Sequence, residues 1–303
     1  MEKIIYSIII PFKNDITFLK RCVKSIPKRK DLEIIIIDDN SDNIDVINNE
    51  LQIWLPDNAD FIKNIIGGGA GRARNIGITL ARGKWIIFAD ADDWFEKEFN
   101  TFLDKYKEDD LHDLVYINAH CVNDKGKIYS FKINRYIKNY LYNKPFSEKV
   151  LRYFVWTPWT RMVKKSLILE HKLEFEEIPL ANDLKFGLEC SYYAKSIMAE
   201  NNILYAYYKP AVGSITDKNY TVENYLLRLE LKIRLNKFYD KVGFPFKWPM
   251  WTALSLHRFK CKEEKERAKI VRTDFLERIG GYNWIKDLGH TIMFFAGKVF
   301  RII

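Results

Sequence analysis

Residues 85–93 read Trp-Ile-Ile-Phe-Ala-Asp-Ala-Asp-Asp, and the reading of this stretch decides the fold. Residues 84–89 (KWIIFA) are a short apolar run after Gly83, the pattern of a strand buried on both faces. Three carboxylates follow within four positions. Carboxylates this close repel one another unless a cation or hydrogen bonds compensate. Hard cations such as Mg²⁺ or Mn²⁺ are held by one or two carboxylates plus substrate phosphates. Asp90, Asp92 and Asp93 are therefore candidate metal ligands, and a solvated acidic turn or a helix cap is the other reading.

Two more strand-like runs lie upstream. Residues 6–10 (YSIII) stop at Pro11, and residues 33–37 (EIIII) run straight into Asp38-Asp39-Asn40-Ser41. Residues 61–66 read as a third strand in this region. Between them Ile16, Leu19, Val23 and Ile26 share one helical face, with Asn14 or Asp15 as cap and Pro27 as stop. Residues 72–81 read as a helix with Gly83 as its C-cap. Continuous apolar strands separated by helices predict an α/β fold, a mostly parallel sheet flanked by helices. Such sheets bind ligands beyond the carboxyl ends of their strands. Three ends carry polar segments, residues 11–14, 38–41 and 90–93, and are expected to converge on one edge.

Asp38 and Asp39 can accept from a nucleobase imide or a ribose hydroxyl, or leave the strand in an Asx-turn. The loop 67–71 (GGGAG) precedes a helix and looks like a phosphate cradle. It lacks the third glycine of a dinucleotide fingerprint and the Gly-Lys-Ser/Thr of a P-loop. It does bring Arg72 and Arg74 near a helix N-terminus, suited to a diphosphate or simply solvated.

Downstream, residues 114–118 read as a strand, 156–161 (WTPWTR) as an aromatic turn, 181–198 as a helix and 203–209 as a strand. Trp156, Trp159 and Arg161 suit either a sugar-stacking wall or a core aromatic cluster. From residue 221 the pattern is helical, with Tyr225, Leu229, Ile233 and Asn236 on one stripe. The expected division is a catalytic domain over 1–215 and a C-terminal helical extension over 216–303. In the last helix Leu288, Ile292, Phe295, Val299 and Ile302 share one arc. Lys286, His290, Lys298 and Arg301 share the opposite one, with Phe294 intruding. That suits either a helix lying on an anionic membrane or one packed on its own domain.

A formal charge of +9 favours anionic partners. No nucleic-acid motif is present, so nucleic acid is not expected among them. Cys22, Cys121, Cys190 and Cys261 stand singly, without metal-ligand spacing, and read as reduced thiols of a cytoplasmic protein. Residues 1–10 read as the first strand rather than a signal peptide. No run reaches the about 18 apolar residues of a membrane span, so any membrane role is expected to be peripheral.

Four motifs in order carry a family resemblance: residues 7–14 (SIIIPFKN), 33–41 (EIIIIDDNS), 73–77 (ARNIG) and 85–93 (WIIFADADD). Together they resemble the family 2 glycosyltransferases of the GT-A fold, of the bacterial polysaccharide and lipopolysaccharide type. Residues 159–161 (WTR), 182–183 (ND) and 213–215 (GSI) are weaker matches. The resemblance implies an inverting transfer from a nucleotide diphosphate donor, a UDP-sugar, to a saccharide or lipid-linked saccharide. It implies Mn²⁺ or Mg²⁺ as cofactor, and a place at the inner face of the cytoplasmic membrane.

Residue by residue, it implies a nucleotide-sugar site at Pro11, Phe12, Asn14, Asp38, Asp39, Arg72, Arg74, Asp90, Ala91 and Asp92. Asp90 and Asp92 form the DxD pair, with Asp93 beside them, and Asp183 matches the catalytic base. Trp159 and Arg161 fall to the acceptor. The chain departs from the pattern twice: Lys13 precedes Asn14 where the family often has tyrosine, and Asn182 precedes Asp183 where it usually has glutamate. A nucleotidyltransferase would share the strand-end carboxylates, but residues 11–14 (PFKN) stand where its basic glycine-rich loop belongs. A non-catalytic nucleotide-sugar binder is the other alternative.

Overall fold

The computed structural model describes residues 3–210, 221–281 and 283–299. The chain divides into two compact units, 1–209 and 210–303, the break falling a few residues before the expected 215.

The isoleucine runs form the strands they predict. β1 (Tyr6–Phe12), β2 (Leu32–Asp38) and β4 (Trp85–Phe88) are buried along nearly their whole length. β2 and β4 flank β1 in parallel, and β3 (Ala59–Lys63) adds to β2 in parallel. Runs buried on both faces need helices on both sides, and α1 (Ile16–Ser25), α2 (Ile44–Trp54) and α3 (Gly69–Leu80) supply them. Asp15 caps α1 by accepting from the Phe18 amide at 3.2 Å. Gly83 is not the C-cap of α3; Ala81 ends that helix in an extended conformation. Gly83 instead lies against β1, where an added Cβ would sit 2.7 Å from the Ser7 nitrogen. Its amide donates to Ser7 Oγ at 2.8 Å, and that hydroxyl donates to buried Glu33 at 2.6 Å.

The second half of the sheet is mixed. After β5 (Trp94–Phe95) and α4 (Phe99–Tyr106) come β6 (Leu114–Val122), its short partner β7 (Ile128–Ser130), α5 (Lys132–Leu141) and α6 (Ser147–Phe154). A 3₁₀ turn (Pro158–Thr160) leads into β8 (Arg161–Lys164) and α7 (Lys165–Glu170). The unit closes with α8 (Leu184–Tyr193) and β9 (Ile197–Tyr208). The strand order is β3-β2-β1-β4-β8-β6-β9-β5 in a nine-stranded sheet. β8 runs antiparallel to both β4 and β6, and β9 parallel to β6.

The helix expected over 181–198 is shorter, and strand begins at Ile197. The cause is tertiary: the Asp113 carboxylate takes the Lys195 and Ser196 amides at 2.9 and 3.2 Å, which draws the chain out of the helix.

The second unit contains α9 (Val222–Lys241), α10 (Trp251–Leu254), α11 (Lys262–Arg278) and α12 (Trp284–Val299). Its core gathers Tyr225, Leu229, Leu254, Leu256, Phe259, Ala268 and Phe275, with Ile233 packed against it. Asn236, expected on the same stripe, bonds both backbone groups of Trp248. In α12 buried Asp287 accepts from the Met250 and Trp251 amides, and Phe294 packs on Trp248. Residues 213–215, Arg301 and Ile302 lie outside the described residues. Among the described residues no helix is long and apolar enough to cross a membrane.

Candidate active site

β1 and β2 end in register, Phe12 opposite Asp38, and the Asp39 amide donates to the Phe12 carbonyl at 2.8 Å. β4 ends on the other side of β1, where the Ala89 amide donates to the Ile9 carbonyl at 3.1 Å. The polar segments 11–14, 38–41 and 90–93 thus leave three neighbouring strands on one edge. α3 begins at the same edge. Its first-turn Gly69 amide donates to both carboxylate oxygens of Asp39 at 3.0 Å. The glycine loop is therefore capped by Asp39, whose charge suits the positive end of the helix.

Arg74, 5% exposed, joins the two halves of the site. It pairs with Asp90 at 2.6 Å, donates to Asn182 Oδ1 at 3.1 Å and lies over the Phe175 ring. Gly71 permits this approach, because a Cβ there would lie 2.3 Å from the Glu176 carbonyl oxygen. Next in sequence is Asp183, half-buried at the N-cap position of α8, yet its side chain makes no capping bond. Burial raises its carboxyl above the ordinary aspartate range, and Arg74 opposes that shift.

The acidic loop is bolted to β9. The Tyr205 hydroxyl accepts from the Asp90 amide at 2.9 Å and donates to Asp93 at 2.7 Å. Asp93 also accepts from the Tyr208 amide at 2.7 Å. Asp92 lies between these ties, and burial together with Asp90 pushes its carboxyl up to about 6. Among the described residues no three Asp, Glu, His or Cys side chains are grouped to hold a metal ion.

Five of the expected residues are held by the fold itself. Asp93, a candidate metal ligand, is fully buried, with both oxygens engaged by β9. Asp38 is buried and turned back on the Ser41 amide and hydroxyl, the Asx-turn alternative. Phe12, expected in the nucleotide-sugar site, is 2% exposed and packs edge-on against Phe61. Trp159 and Arg161, assigned to an acceptor, are core residues. Trp159 is stacked on Tyr205 and Tyr207. Arg161 has no exposed surface and donates to the Val155 and Gly187 carbonyls and Ser191 Oγ.

The other expected residues stay at the edge. Pro11 and Ala91 are partly exposed. Asn14, at φ 67°, ties the end of β1 to the Asp42 amide and carboxylate. Arg72 meets Glu177 at 3.3 Å. Sequence reading missed Arg21, Tyr205 and Tyr208. The signal for the first was an i,i+3 Phe18–Arg21 pair on α1, which a hydrophobic count passes over.

Residues 7–168, more than half of the chain, match the family described as Glycosyl transferase family 2. The chain belongs to that family. It is 26% identical to the uncharacterized glycosyltransferase EpsJ of Bacillus subtilis over 242 residues, 71% of this chain and 67% of that one. Among solved structures it resembles S. aureus TarS 1-349 in complex with UDP-GlcNAc, with a TM-score of 0.65 and 20% identity. That match covers 90% of this chain and 81% of the other. The mannosyltransferase PcManGT of Pyrobaculum calidifontis, in complex with GDP-Man and Mn²⁺, matches at TM-score 0.52 and 14% identity, covering 98% and 80%. The helix-flanked, curled sheet is the GT-A fold. The chain spans 61%, 67% and 20% of the length of the first three curated relatives it matches.

Proposed function

We propose that the chain transfers a sugar, with inversion, from a UDP-sugar to a hydroxyl of a saccharide or lipid-linked saccharide in surface polysaccharide synthesis. The observation that carries this reading is the meeting of Asp39, Arg74, Asp90, Asp92 and Asp183 at one sheet edge, where Arg74 bonds Asp90 and the Asn182 side chain and Asp39 holds the first turn of α3. UDP-GlcNAc in the TarS structure supports the choice of donor.

The donor set fits a divalent cation. Asp92 is pressed toward protonation by burial and by Asp90, a strain that a cation relieves. Mn²⁺ or Mg²⁺ would be held by Asp92, with Asp90 nearer the ribose, and would neutralise charge on the departing diphosphate. The Mn²⁺ in the PcManGT structure supports this. Pro11, Asn14 and Asp39 flank the nucleoside, and Arg72 and Arg74 face the diphosphate. Asp183 takes the acceptor proton as the acceptor oxygen bonds to the anomeric carbon. The bond from that carbon to the diphosphate breaks, and its electron pair leaves on the phosphate oxygen.

A thermal-shift screen tests the reading. UDP with Mn²⁺ is expected to raise the melting temperature by several degrees, in line with about 2.7 kcal/mol at a hundredfold excess over Kd. UDP alone is expected to raise it less. A response to ADP or GDP equal to that to UDP would contradict the donor assignment. Binding without turnover of any UDP-sugar would favour a non-catalytic binder.

The exposed face of α12 supports peripheral contact of the second unit with an anionic membrane, read here as the inner face of the cytoplasmic membrane. On α12, Ile285, Leu288 and Ile292 are 87%, 60% and 61% exposed, on the side away from buried Asp287 and Phe294. Lys286 is exposed beside them. Each aliphatic side chain buried in lipid contributes about 1.5–3 kcal/mol. Leu288→Ser with Ile292→Ser is expected to cut flotation with anionic liposomes at least about tenfold. Equal flotation of variant and wild type would remove α12 from the account.

A further inference from the structure

Arg21 lies on α1, away from the residues assigned above, yet it touches the acidic loop. Its guanidinium donates to the backbone carbonyl of Asp92. Three rings cage it: Trp94 at 4.4 Å, and Phe18 and Tyr208 each at 4.9 Å. Nε is buried without a hydrogen-bond partner, and among the described residues the group forms no ion pair. A guanidinium enclosed by aromatics is attracted to the negative faces of the rings. It gives up part of its hydration in return. What the enclosure secures is direction: three rings hold the donor so that it points at one carbonyl.

That carbonyl belongs to Asp92, the residue proposed above to hold the cation. The loop on either side is tied elsewhere. Asp90 and Asp93 are tied to Tyr205. The Phe95 amide donates to Ser25 Oγ, on the same helix as Arg21, at 2.9 Å. Arg21 alone among the described residues bonds Asp92 from outside the loop. Tyr208 serves both sets of ties, its ring in the cage and its amide on Asp93. Helix α1 and strand β9 thus clamp the acidic loop from two sides.

We propose that Arg21 is a positioning residue that fixes the Asp92 peptide, so that its carboxylate meets a divalent cation carried on the nucleotide diphosphate. The inference rests on the proposed role of Asp92. Outer partners of this kind set metal affinity by about 10- to 100-fold. Lysine keeps the charge but loses the planar fork that fills the cage.

The test is calorimetric titration of the full chain with UDP, in Mn²⁺ and in EDTA. Arg21→Met is expected to weaken UDP binding in Mn²⁺ about tenfold and to leave binding in EDTA within about twofold. Arg21→Lys is expected to fall between the two. Trp94→Leu opens the cage without removing the donor; it is expected to act in the same direction and serves if Arg21→Met fails to fold. Equal weakening in both buffers, or in neither, overturns the positioning role. Wild-type affinity that is the same in both buffers overturns that role together with the metal role of Asp92.

Discussion

Asp92→Asn is expected to reduce sugar transfer about a thousandfold while the protein stays folded. Asp92 is the one carboxylate of the acidic loop with neither a salt bridge nor a tie to β9. Asp90 is paired with Arg74, and Asp93 is locked to Tyr205 and Tyr208. An amide keeps the shape but loses the charge a hard cation requires. A loss of about 4 kcal/mol of charge stabilisation at the leaving diphosphate corresponds to that thousandfold drop. Stability is expected to hold or rise slightly, because a carboxylate raised by burial and a like-charged neighbour is replaced by a neutral group. Turnover of a UDP-sugar, measured beside the melting temperature, checks both halves. Asp93→Asn is the contrasting variant: its loss belongs to the fold of the loop and is expected in the melting temperature.

Asp183→Asn is expected to lower kcat by about 10²- to 10⁴-fold and to leave UDP binding within about twofold. The side chain makes no capping bond on α8, so the helix does not need it. Its carboxyl is raised by burial, with Arg74 as the main opposing influence. A base acts in its deprotonated form, so activity is lost as pH falls through its pKa. The acid limb of the wild-type kcat/KM profile is therefore expected above the ordinary aspartate range. An activity plateau extending down to that ordinary range, or near wild-type turnover by Asp183→Asn, would remove Asp183 from the chemistry. A helix N-terminus favours the ionised form of an aspartate and so weakens it as a base. Here desolvation outweighs the helix.

The half of the sheet that carries the candidate site is legible in the sequence. Runs such as Glu33-Ile34-Ile35-Ile36-Ile37 have one physical solution, a strand buried on both faces, and each delivers its polar end to the same edge. What escapes sequence reading is settled by partners far along the chain. The expected helix over 181–198 ends early because Asp113, some eighty residues away, takes two of its amides. In the sequence Trp159 and Arg161 suit either a sugar-stacking wall or a core cluster. β6, β8 and β9 close over them, and a buried guanidinium finds carbonyls instead of ligand. Asp93 looks the same as Asp92 in a string of letters. The ties to Tyr205 and Tyr208 on β9, more than a hundred residues away, bury one and leave the other partly exposed. Arg21 is invisible for the same reason, since its cage draws on α1, the segment after the acidic loop and the end of β9.

The central claim is that the edge built from β1, β2 and β4 binds a nucleotide diphosphate through a cation held at Asp92. Calorimetric titration of UDP into wild type and Asp92→Asn, each with and without Mn²⁺, tests it most directly. The account predicts that Mn²⁺ tightens UDP binding at least about tenfold in wild type and has no effect in Asp92→Asn. The same Mn²⁺ enhancement in both proteins would contradict it.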